Sequence, residues 1–142
     1  MSPRTIPPFR ADHVGSLLRP PELLRARDDF AAGTIGAAEL RAVEDEAIRG
    51  AVALQRDAGL QSVTDGEFRR ASWHMDFIYQ IGGIGQVPGH LLSRFRNTEG
   101  TIEFTPPAIR VNRRVTMDKT IFGDDFAFLQ SIAGQSVPKI VL

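Results

Sequence analysis

One segment constrains the fold more than any other. Between Gly36 and Ala58, the residues Leu40, Val43, Ala47, Ala51, Leu54 and Ala58 recur at spacings of three and four, which draws one apolar stripe along a helix. Glu39, Glu44, Asp45, Arg49 and Arg56 fall mostly off that stripe. Gly59 is placed to stop the helix, and Leu60 to Gly66 then reads as a short strand breaking into a loop. A long helix, a glycine stop and a β-rich run with a polar end make an αβ unit of the parallel kind. Such units gather functional groups at the carboxyl ends of their strands.

The rest of the chain fits the same plan. Phe9 to Ser16 reads as a strand entering a tight loop, and Glu22 to Ala32 as a helix stopped by Gly33. Phe68 to Gln80 is expected to be helical. Gly82, Gly83, Gly85, Pro88 and Gly89 mark an extended irregular stretch. Thr101 to Phe104 and Ala108 to Thr116 alternate as strands expected to pair across Pro106-Pro107. Asp124 to Ile132 reads as a helix, and Val137 to Leu142 as a buried parallel strand. Three parallel-type strands cannot close a barrel, which takes about eight strands and roughly 250 residues. The chain then reads as the N-terminal part of something larger, whose missing half completes the sheet, or as one that completes itself as a homo-oligomer through the outer edge of the last strand.

Composition narrows the function classes. The chain has 142 residues with Lys+Arg 17 against Asp+Glu 17 and no charge block, which argues against nucleic acid or an anionic membrane as partner. There is no cysteine, so disulfides and thiolate-ligated metal are excluded. Met1 to Arg10 has three prolines and no apolar core of a signal peptide, and no apolar run approaches the roughly 18 residues of a span. A cytoplasmic protein acting on a small molecule is the expectation. The dinucleotide and phosphate-loop glycine patterns are missing, His13, His74 and His90 lack metal-ligand spacing, and Ser16 has no nucleophile-elbow motif around it.

By the strand-end rule, His13 to Ser16 and Asp65 to Arg70 belong at one mouth. The polar set there is Asp12, His13, Ser16, Asp65, Glu67, Arg69, Arg70, Trp73 and His74. Glu67 can bind an ammonium group or act as a base, and an Asp-Gly-Glu turn is also often just a solvated helix start. His13 suits a hydrogen-bonded structural role as well as a ligand role, and His74, between Trp73 and Met75, suits packing.

The runs Arg10-Ala-Asp-His-Val-Gly-Ser-Leu-Leu-Arg-Pro20, Val63-Thr-Asp-Gly-Glu-Phe-Arg-Arg70 and Trp73-His-Met-Asp-Phe77 resemble the cobalamin-independent methionine synthase family, in particular its single-barrel members. The resemblance spans nearly the whole chain. It implies that residues 1–142 are the N-terminal portion of one (β/α)8 barrel domain, incomplete in this chain and interrupted by an inserted hairpin or irregular region. It implies methyl transfer to homocysteine or a similar thiol, with zinc activating the thiolate. Carried over by position, Val14, Gly15, Ser16 and Glu67 would hold the amino-acid part of the thiol. His13, Asp65, Arg19, Arg70, Trp73 and His74 would border the pocket. The family's zinc ligands lie in later strands, so none is expected here. Ile102-Glu103 stands where methionine synthases carry Arg-Cys, which leaves the folate donor open. Two other readings are alkyl transfer to a sulfonate thiol, as in epoxyalkane:coenzyme M transferases, with Arg19 or Arg70 as its partner, and a non-catalytic binding or scaffold protein.

Overall fold

The computed structural model describes residues 6–9, 11–98 and 100–141. Ten elements follow one another: α1 (Pro21–Ala31), α2 (Ala37–Asp57), β1 (Ser62–Val63), α3 (Met75–Ile78), β2 (Gly82–Val87), β3 (Ser93–Asn97), β4 (Gly100–Phe104), β5 (Ala108–Thr116), α4 (Gly123–Ile132) and β6 (Val137–Pro138). They form a mixed α/β chain in two compact units, with no closed barrel among the described residues. The first contains residues 1–73 and 122–142, and the second 74–121.

In the first unit, Pro21 sits at the first turn of α1, where its missing N–H costs nothing. The N-terminus of α2 is satisfied by Glu39, whose carboxylate accepts the Gly36 N–H at 2.9 Å. Gly33 and Gly59 follow the two helices with φ of +74° and +81°, conformations that favour glycine. Strands β1 and β6 run parallel, with Ser62 opposite Val137 and Val63 opposite Pro138. Leu23, Ile48, Val52, Val63, Phe68 and Leu129 make the core.

The expected stripe of α2 is buried only in part: Ala51 is in the core and Val43 and Ala47 pack against it, but the buried face centres on residues beside the stripe. Glu44, Ile48, Ala51, Val52 and Gln55 are buried, whereas Leu54 is 67% exposed. Glu44 is thus a core-facing residue, corrected from the polar side, and its burial against Arg69 lets it stay there. The second apolar face, with Val43, Ala47 and Leu54, lines a groove of about 920 Å³ beside Leu17, Leu18 and Phe68.

Two further expectations in this unit are revised. No strand forms among the described residues of 9–16; Arg10 lies outside them. Side chains anchor this segment instead: Ser62 Oγ donates to Asp12 Oδ1 at 2.8 Å, and Lys139 Nζ donates to Asp12 Oδ1 and to His13 O. The last strand is short: Val137 N–H donates to Gln61 O and Lys139 N–H to Val63 O, both at 2.9 Å, so Pro138 falls at the position whose N–H this pairing does not use; Leu142 lies outside the described residues.

The second unit pairs its strands locally. β2 runs antiparallel to β5, with Ile84 opposite Val111, and β3 antiparallel to β4, with Phe95 opposite Ile102. The glycine-rich stretch is therefore a strand. Gly83, at φ +89°, lies where a Cβ would come within 2.5 Å of Arg114 O, so its backbone can approach β5 only without a side chain. β4 and β5 do not pair with each other: β4 pairs with β3 and β5 with β2, and Pro106-Pro107 separates them. The expected helix from Phe68 to Gln80 shrinks to α3, a single turn.

Candidate functional site

Two loops of the first unit meet where the sequence motifs lie. Ser16 follows Gly15, whose φ is +96°, and Glu67 follows Gly66, whose φ is +65°. Glu67 itself takes φ +57°, unusual for a residue with a Cβ. The Ser16 hydroxyl donates to Glu67 Oε2 at 2.6 Å, and Glu67 is only 2% exposed. Leu17 N–H donates to Gly66 O at 3.1 Å, so backbone as well as side chains joins the loops.

The Glu67 turn is built from side-chain hydrogen bonds. Asp65 Oδ1 accepts the Glu67 N–H at 3.0 Å, and Thr64 Oγ1 accepts the Gly66 N–H at 3.2 Å. His13 Nε2 lies 3.3 Å from Thr64 Oγ1, within hydrogen-bonding reach. Arg19 Nη2 donates to Glu67 O at 2.8 Å and to Arg70 O at 2.7 Å, and Arg27 Nη2 donates to Phe68 O at 2.9 Å. Guanidinium groups thus hold the carbonyls of Glu67, Phe68 and Arg70, and the helix expected from Phe68 does not begin there.

The remaining arginines are committed elsewhere in the unit. Arg70 is buried, donates to Trp73 O at 3.3 Å and to Val141 O, and lies 4.1 Å over the Phe122 ring. Arg69 sits among Asp45, Glu44 at 3.7 Å and Asp125 at 3.5 Å, with Phe128 4.8 Å beneath it. Burial pushes the Glu44 carboxyl above its ordinary range, and the charges of Arg69, Arg27 and Arg41 offset only part of that. Asp12 moves the other way: its hydrogen bonds from Lys139 and Ser62 hold it below the usual carboxylate range.

The structure thus brings Ser16, Asp65, Glu67 and Arg19 into one hydrogen-bonded assembly, with Gly15 next to Ser16 in the chain and His13 within reach of Thr64. Val14 is 81% exposed at its edge, and Trp73 is 63% exposed. His74 belongs to the second unit, exposed at the N-cap of α3. Sequence reasoning missed Gln55, Thr64, Arg27 and Lys139. Gln55 carried a readable signal, since a glutamine three residues after Val52 and four after Ala51 is a polar group on a core-facing stripe. The donors needed for zinc are not assembled: among the described residues no group of three or more His, Cys, Asp or Glu could hold a metal ion.

No protein-family model matches the chain. It is 39% identical over 139 residues to the uncharacterized protein YxjG of Bacillus subtilis (strain 168), covering 98% of this chain and 36% of that one. It is 32% identical over 105 residues to the 5-methyltetrahydropteroyltriglutamate–homocysteine methyltransferase of Thermotoga maritima, covering 73% of this chain and 14% of that enzyme. Among solved structures, it matches the putative vitamin-B12 independent methionine synthase of Listeria monocytogenes with a TM-score of 0.71 and 34% identity, over 92% of this chain and 35% of that one. The chain spans about a third of the length of the Bacillus relative and of the Listeria protein. The sequence and structural likenesses agree, and by them the chain belongs to a cobalamin-independent methionine-synthase-like family.

Proposed function

We propose that this chain supplies the amino-acid-recognition part of a thiol methyltransferase, as the N-terminal portion of a (β/α)8 barrel. The observation that carries the reading is the 2.6 Å hydrogen bond between Ser16 and the buried Glu67 carboxylate. An α-amino acid brings an ammonium and a carboxylate on one carbon. The ammonium donates to Glu67, and the Ser16 hydroxyl, released from Glu67, turns its proton to the carboxylate. Seating both groups fixes the carbon that carries the thiol side chain. In the transfer, the thiol gives its proton to solvent, sulfur forms a bond to the methyl carbon as the methyl–donor bond breaks, and the donor leaves with that electron pair and takes up a proton from solvent.

The commitments of Arg19 and Arg70 favour homocysteine-like thiols over sulfonate thiols. Both guanidinium groups donate to backbone carbonyls, and the charged side chain bonded to Ser16 is a carboxylate. An anionic head group would face Glu67 and lose by repulsion.

Calorimetric titration of the protein that carries this chain tests the reading, with L-homocysteine, its deaminated analogue 4-mercaptobutyrate and 2-mercaptoethanesulfonate. Homocysteine is expected to bind about tenfold or more tightly than 4-mercaptobutyrate, the worth of one charge-assisted hydrogen bond. Glu67→Gln is expected to abolish most of that preference. Preference for the sulfonate, or binding of none of the three, overturns the proposal; the second outcome returns the chain to the class of non-catalytic binding proteins.

A further inference from the structure

Glu67 holds a left-handed backbone conformation at φ +57° without a local side-chain bond of its own, because its carboxylate is directed to Ser16. Such a conformation persists only where the surroundings over-determine it. The main outside support is Arg19, whose single Nη2 bridges Glu67 O at 2.8 Å and Arg70 O at 2.7 Å. That bridge closes both ends of the turn, and the Arg70 N–H, donating to Glu67 O at 3.0 Å, closes it from inside. Arg19 lies three residues after Ser16, so one short segment delivers the hydroxyl partner of Glu67 and the clamp on its backbone.

We infer that Arg19 is a positioning residue, which sets where the Glu67 carboxylate points and thereby how strongly an ammonium group is recognised. The inference rests on the reading of Glu67 given above. Arg19 acts through the Glu67 carbonyl and does not touch the ligand, which differs from a pocket arginine binding an anion. Its effect is therefore selective: loosening the turn degrades recognition of the ammonium and leaves recognition of the thiol chain intact. A residue that merely stabilised the fold would weaken both together.

The test compares L-homocysteine with 4-mercaptobutyrate by calorimetric titration, on the protein carrying this chain and on its Arg19→Met, Arg19→Lys and Glu67→Gln variants. Arg19→Met is expected to lose the preference for homocysteine by about tenfold, with the affinity for 4-mercaptobutyrate unchanged. Arg19→Lys keeps the charge on a shorter donor and recovers part of the preference. A preference unchanged in Arg19→Met, or an equal loss for both thiols, overturns the inference. If Arg19→Met fails to fold, Arg19→Lys decides, and a wild-type preference there overturns it. Glu67→Gln separates the two failures. Loss of preference there with none in Arg19→Met removes the positioning role alone, whereas no loss in Glu67→Gln removes the ammonium reading and this inference with it.

Discussion

The Gln55 carboxamide grips both backbone polar atoms of Thr64: its Oε1 accepts the Thr64 N–H at 2.8 Å, and its Nε2 donates to Thr64 O at 2.9 Å. Nine residues separate them along the chain, and the same Nε2 also donates to Ala51 O at 2.9 Å. A helix side chain thus completes the hydrogen bonding of the residue at which β1 turns into the Glu67 loop.

Gln55→Ala is expected to lower stability by about 2–4 kcal/mol, because it strands a buried N–H and a buried C=O at once. Urea unfolding checks the size. A loss under about 1 kcal/mol would mean that water replaces the amide, which the burial of Thr64 opposes.

Gly66→Ala is expected to cost about 2–3 kcal/mol. The φ of +65° disfavours any Cβ, and a Cβ there would lie 2.9 Å from Phe68 Cε1 and 3.1 Å from Leu17 Cβ. Because both neighbours flank the site loops, homocysteine binding should weaken with stability. Thermal unfolding and titration on one sample measure the two effects together.

Glu44 gives stability a pH dependence with a definite sign. Burial raises its folded carboxyl above the ordinary 4.5, so between those two values the folded chain holds more protons than the unfolded one. Its contribution is present in full below 4.5 and is lost as pH rises through the raised value. Glu44→Gln is expected to remove this slope, seen as a flatter plot of unfolding free energy against pH just above 4.5. An identical slope in the variant would show that Glu44 does not set it.

The boundaries of α2 were legible because glycines stand at both ends and Glu39 is at capping distance from Gly36. Its core-facing side was legible only in part, at Val43, Ala47 and Ala51. Val43 and Leu54 form as good a stripe as Ile48 and Val52, and only tertiary packing chooses between two apolar faces of one helix. The meeting of the Gly15-Ser16 and Gly66-Glu67 loops was anticipated from parallel αβ logic, although no strand forms at the described part of 9–16. In its place, bonds between residues some fifty apart, such as Ser62 to Asp12, hold the segment, and no local pattern announces them. The partners of β4 and β5 were misassigned because alternation gives the two faces of a strand and carries no information about which strand lies beside it. The Arg19 bridge was hidden for a related reason: its acceptors are backbone carbonyls, which every residue has.

The second unit leaves the first after Trp73 and the chain returns at Phe122, and one side chain, Arg70, meets both points through the Trp73 carbonyl and the Phe122 ring. The excursion is therefore stapled at its neck. Length changes between the two anchor points are expected to leave the path of the chain through the neck in place, much as a cassette is swapped in a constant frame. Freedom to vary 48 residues is then tied to a neck in which Arg70 takes part and has little room to change.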